Sequence, residues 1–194
     1  LFAELSKRGV KVMPTASAPA MEQVLAGFPK DWMKIIDQPQ TFYVVRIEPV
    51  AGRVSVPVGE PVLVQVTIYN ISDFPLTLGP EGVIHPDLWF DAQTRGVQQN
   101  FFPAEAFARL GGPMVLAPKV GVVSQVVRLD QAQLLAMLER FPTAHFQITA
   151  TVMTNPTTVA GQVRPGPAGN QVALQKLMER RGAPIGQLGV RQRL

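Results

Sequence analysis

Cysteine is absent from all 194 residues. Disulfides, cysteine-ligated zinc, iron–sulfur clusters and thiol catalysis are therefore excluded. Histidine occurs only twice, at His85 and His145. A Ser-His-Asp centre would have to use one of these, and no G-x-S-x-G stretch supplies the nucleophile. Long apolar runs are missing too: charges and prolines interrupt every candidate well short of the roughly 20 residues a spanning helix needs. The opening LFAELSKRGVK has neither the apolar stretch nor the cleavage pattern of a secretory signal. The chain begins with Leu rather than Met and is expected to be a piece of a larger protein, which leaves a periplasmic or extracellular setting open.

Charge is scarce as well, at 16% against 46% hydrophobic residues, the balance of a chain that buries a core. The net charge of +4 is unevenly placed. From residue 161 onward stand Arg164, Lys176, Arg180, Arg181, Arg191 and Arg193 against Glu179, a net of +5, which leaves residues 1–160 at −1. A near-neutral body with a basic tail fits a partner-binding extension better than a nucleic-acid footprint, so no nucleic acid is expected.

Apolar spacing divides the chain into three parts. Residues 1–38 have helical periodicity, with Met21, Val24, Leu25 and Phe28 and then Trp32, Ile35 and Ile36 on shared faces. Over residues 39–160 the period shortens to two. TFYVVRIEPV reads as a strand, and RVSVPV alternates with Val54, Val56 and Val58 on one face. Val64, Val66 and Ile68 alternate against Gln65, Thr67 and Tyr69, as in a sheet packed on one side. Asn70-Ile-Ser-Asp73 then forms a turn whose side chains hydrogen-bond their own backbone. PLTLG, DLWFDA, GPMVL, VGVVSQVVRL and HFQITATVM supply further strands, the last with Phe146, Ile148, Ala150 and Val152 inward and His145 outward. Two helices are predicted between strands, PAEAFARL at 103–110 and DQAQLLAMLERF at 130–141, the second with Asp130 as N-cap and Leu134, Leu138 and Phe141 buried. In residues 161–194 a Pro/Gly-rich linker precedes a basic helix, NQVALQKLMERR, and an extended tail.

Eight or so short strands with Gly/Pro turns imply a mainly β protein, an antiparallel sandwich with short helical insertions and helical N- and C-terminal extensions. Asn70-Ile-Ser-Asp-Phe-Pro-Leu76 resembles the end of one strand and the start of the next in bacterial immunoglobulin-like modules, including the domain type of a bacterial intracellular proteinase inhibitor. Leu116-Ala-Pro-Lys-Val-Gly121 resembles the turn before a long strand in the same modules, except that Lys119 stands where they carry Gly and their Glu is missing. The resemblance covers about residues 42–155 and implies an immunoglobulin-like β-sandwich, a fold shared by adhesive linkers, accessory domains and inhibitors.

Two stretches are candidates for binding. In a terminal helix, Leu174, Leu177 and Met178 would form an apolar stripe and Arg180 and Arg181 would orient it, against a partner protein, the parent chain or a second copy. On a strand, Asp87, Trp89 and Asp91 would share one face, able to hold a cation or a sugar, with Leu88 and Phe90 in the core. No catalytic residue, metal site or cofactor is predicted. The expected function is a non-catalytic structural or protein-interaction module of a larger bacterial protein. Its rivals are an accessory carbohydrate- or cation-binding domain and a peptidase inhibitor using a protruding loop between Asn100 and Pro113.

Overall fold

The computed structural model describes residues 38–183 apart from Pro167, together with Lys34 and Asp37. The predicted N-terminal helices and the extended tail from residue 184 onward lie outside the described residues. Contacts separate two units, Leu1–Asp37 and Gln38–Leu194, and the fold below belongs to the second.

Among the described residues thirteen strands follow in chain order. β1 (Tyr43–Pro49), β2 (Ser55–Val56), β3 (Leu63–Asn70) and β4 (Leu76–Leu78) come first. Then come β5 (Asp87–Gly96), β6 (Asn100–Arg109), β7 (Met114–Leu116) and β8 (Val122–Arg128). A short α-helix, α1 (Gln133–Arg140), precedes β9 (Phe146–Thr154) and β10 (Pro156–Val159). β11 (Gln162–Pro165), β12 (Gln171–Ala173) and β13 (Met178–Arg180) complete the set. One sheet runs β1-β3-β8. A larger one runs β2-β13-β9-β5-β6 with β12 also on β9, while β10–β11 and β4–β7 form two ribbons. All pairings between these strands are antiparallel except β13 with β2.

The period-two pattern explains the two central ladders. Val64, Val66 and Ile68 of β3, and Leu88, Phe90, Ile148, Ala150 and Val152 of β5 and β9, are buried in one hydrophobic cluster with Leu134 and Leu138 of α1. Each such aliphatic or aromatic side chain contributes about 1.5–3 kcal/mol on burial. Tyr43 of β1 ties the two sheets together, its hydroxyl lying 2.9 Å from Thr154 Oγ1 at the end of β9. RVSVPV is a poorer strand than its alternation predicts: only Ser55–Val56 pairs, and Val56 alone of the three valines is buried.

The Asn70 turn is built as its side chains predict. Asn70 Oδ1 accepts the N–H and the hydroxyl of Ser72, and Nδ2 donates to the carbonyls of Phe74, Leu116 and Ala117. Asn70 is thus consumed internally and buried. The facing turn explains the departure at Lys119. This residue has φ +61°, the left-handed region that favours glycine, and its ammonium anchors the strained turn by donating to Ile71 O and pairing with Asp73. Gly121 beside it cannot carry a side chain, because a Cβ there would come within 2.5 Å of Ala117 N.

Three predicted elements are different. PAEAFARL is not a helix but most of β6; its Ala and Glu favour helix locally, yet Ala106, Phe107, Ala108 and Arg109 pair residue by residue with β5. NQVALQKLMERR is likewise no helix: it forms β12 and β13, which both pair with β9. Of the linker and helical extension predicted for residues 161–194, the described part is therefore replaced by β11 of the β10–β11 ribbon and by strands of the main sheet. α1, finally, starts at Gln133 with Ala132 as N-cap. Asp130 serves elsewhere, accepting the Val62 N–H at 2.8 Å and two bonds from the Arg128 guanidinium at 3.1 Å.

Candidate functional site

The predicted docking stripe does not exist as a surface. Leu174 and Met178 are core residues, and Arg180 is buried with Nη1 donating to Leu138 O at the end of α1. That contact places a cation where the helix carbonyls converge. Burial pulls the Arg180 pKa below the ordinary arginine value, and the nearby Asp130 charge opposes this. Of the five residues only Leu177, 44% exposed, and Arg181 face solvent. The helix expected to carry a homo-oligomer or partner contact is replaced here by strands, with Met178 and Arg180 pairing with β9. Of the Asn100–Pro113 loop offered to a peptidase, Asn100–Arg109 lies in the sheet as β6, which leaves only residues 110–113 between β6 and β7.

Asp87, Trp89 and Asp91 do share the outer face of β5, with Leu88 and Phe90 directed into the core. Each already has a partner on β6. Asp87 forms an exposed ion pair with Arg109 at 2.7 Å, which raises the guanidinium pKa further and contributes little to stability in solvent. Trp89 meets Phe107 edge to face, ring centroids 4.5 Å apart and planes at 83°.

Asp91 braces an irregularity in the ladder. Between the pairs Phe90–Ala106 and Ala92–Phe102, Asp91 alone faces Pro103, Ala104 and Glu105. Ala104 adopts φ +51° and donates its N–H to Asp91 Oδ1 at 2.8 Å. This bulge re-aims the next side chain. Glu105 points inward instead of outward, and its Oε1 accepts the N–H groups of Ala132 and Leu134 at 2.7 and 3.0 Å. The carboxylate thereby satisfies the first turn of α1 from another strand, in place of a local N-cap.

Beside the bulge lies a cleft of about 430 Å³, walled by Trp89, Asp91, Phe101 and Pro103 and flanked by Gly161–Val163 of the β10–β11 ribbon. Its volume is in the range of small-ligand clefts. Phe101 and Phe107 stand 61% and 53% exposed on the same outer face. Reading residues 103–110 as a helix hid Phe107 and the cleft; Phe101, six residues earlier, joins Phe107 and Trp89 on one face only with β6 beside β5. No group of three or more His, Cys, Asp or Glu side chains that could hold a metal is found among the described residues.

No protein family and no curated protein matches this sequence. Two solved structures overlap the fold at 12% identity. One is the Pseudomonas fluorescens alkylpurine DNA glycosylase AlkC bound to DNA containing an abasic site analogue, with a TM-score of 0.33 over 86% of this chain and 43% of that one. The other is AvmM, which catalyses macrocyclization in alchivemycin A biosynthesis, with a TM-score of 0.30 over 74% of this chain and 90% of that one. The chain spans under half of the glycosylase, and at these TM-scores neither likeness carries an argument.

Proposed function

We propose that this chain is a non-catalytic interaction module, an immunoglobulin-like β-sandwich within a larger bacterial protein, which binds a protein partner on the outer face of β5 and β6. The observation that carries this reading is the aromatic group of Trp89, Phe107 and Phe101 on a face that a monomer would otherwise line with polar residues. Aromatic anchors rimmed by polar and charged groups, here Asp87, Arg109 and Gln93, are the composition of a binding hot spot. The test is capture from a bacterial extract with the wild-type chain and with Phe101→Ser/Phe107→Ser. A partner held by the first and lost by the second supports the reading; equal retention of every captured protein defeats it.

The cleft favours a second reading, an accessory carbohydrate-binding domain. Aromatic walls from Trp89 and Phe101 beside a carboxylate and the amide of Gln162 suit a sugar ring. Calorimetric titration with simple glycans decides it, with Gln162→Ala as the variant that should reduce any heat. Asp91→Ala is less informative, because Asp91 also holds the bulge.

A further inference from the structure

Most strand edges among the described residues carry a device that discourages pairing. β6 has Pro103 and the bulge, β1 projects Arg46 and Glu48 and ends in Pro49, and β2, β4 and β7 are two or three residues long. β8 differs. Its seven residues pair with β3 in unbroken register, and Val122–Val127 contains no proline and no charge.

The direction of its free groups follows from the ladder. Asn70 N–H donates to Gly121 O, and Leu129 N–H donates to Val62 O. Gly121, Val123, Gln125, Val127 and Leu129 therefore face β3, and the N–H and C=O groups of Val122, Ser124 and Val126 face the open edge. Among the described residues no backbone partner takes them; only Val126 O accepts a bond, from the neighbouring Gln125 amide. The side chains of the same residues are exposed on the outer face, Val122 at 52% and Val126 at 48%.

We propose that the edge of β8 pairs with β8 of a second copy of this chain, antiparallel about a two-fold axis at Ser124, joining two three-stranded sheets into one of six. The outward row Val122-Ser124-Val126 reads the same in both directions. Pairing about Ser124 sets Val122 opposite Val126 twice and Ser124 opposite Ser124, so each exposed valine gains a β-branched neighbour. Every residue in these pairs has its N–H and C=O turned to the edge, giving about six main-chain hydrogen bonds. Arg128 falls opposite Val120, and no charge meets its own copy. This is the self-matching that a two-fold interface requires.

The absence of cysteine makes the test direct. Ser124→Cys, nearly isosteric and exposed, should cross-link to a dimer under mild oxidation, because the paired Cα atoms would lie about 5.5 Å apart, within disulfide reach. Val97→Cys, on an exposed turn, should not. In sedimentation, Val122→Lys/Val126→Lys should weaken the wild-type dimer at least tenfold by facing lysine with lysine. Val122→Lys/Val126→Glu should restore it by pairing opposite charges. A wild-type chain that stays monomeric, with Ser124→Cys cross-linking no faster than the control, overturns the proposal. So does a dimer that survives the double lysine variant.

Discussion

Glu105 and Leu134 stand 29 positions apart and meet at 3.0 Å, a strand carboxylate accepting the N–H of a helix's first turn. The bond depends on the bulge at Ala104, which depends in turn on Asp91. One outer-face acid thus holds an inner-face acid in place. Glu105→Ala leaves two N–H groups without their acceptor and is expected to cost roughly 2–4 kcal/mol. Glu105→Gln keeps an oxygen and should lose about half as much. Urea unfolding midpoints of the three proteins check the order.

How much of this was legible in the sequence depended on where each residue's partner lay. The β3, β5 and β9 strands, the Asn70 turn and the common face of Asp87, Trp89 and Asp91 rest on local patterns: alternation, or side chains that bond their own backbone. β6, β12 and β13 carry helix-favouring residues and become strands only through pairing with β5 and β9. Glu105 gave no sign of its role, because its partners lie 27 and 29 residues away in a different element. Leu174, Leu177 and Met178 read as one apolar stripe; the fold's own core covers Leu174 and Met178 and leaves Leu177 exposed.

The two adjacent arginines should behave in opposite ways. Arg180→Ala removes a buried side chain and the donor to Leu138 O, with an expected loss of about 2–4 kcal/mol. Arg181→Ala, on a solvated side chain, should stay within about 0.5 kcal/mol of wild type. Chemical denaturation distinguishes them. For the same reason a chain ending at residue 160 would lose β11, β12 and β13 and should lack a cooperative thermal transition.

Lys119→Gly tests the strained turn. Relief of φ +61° favours glycine by about 1 kcal/mol, while the anchor to Ile71 O and Asp73 is lost. The anchor is exposed and its bond to Asp73 is screened, so the backbone term should win and the melting temperature should rise by a few degrees. A fall would show that the side-chain anchor outweighs the strain.

Tyr43 predicts an alkaline limit. Burial raises its pKa above the 10.0 of a free tyrosine, opposed by hydrogen bonding to Thr154 and Asn170. The folded state therefore keeps the proton longer than the unfolded chain. Its stabilising contribution is complete below pH 10 and is lost as the pH climbs through the raised folded value. Tyr43→Phe should be less stable at neutral pH by roughly 1 kcal/mol, through the lost bonds to Thr154 and Ala168. It should also show a shallower decline above pH 10, read from unfolding free energies across that range.

The outer face of β5 and β6 is the surface proposed to meet this module's partner. The most direct measurement places a photo-crosslinking phenylalanine analogue at position 107, and separately at Val44 on the outer face of the other sheet, and irradiates each in a bacterial extract. One discrete cross-linked product is expected from position 107, suppressed by Phe101→Ser, and none from position 44. A product from position 44 with none from position 107 would contradict it and move the binding surface to the β1-β3-β8 sheet.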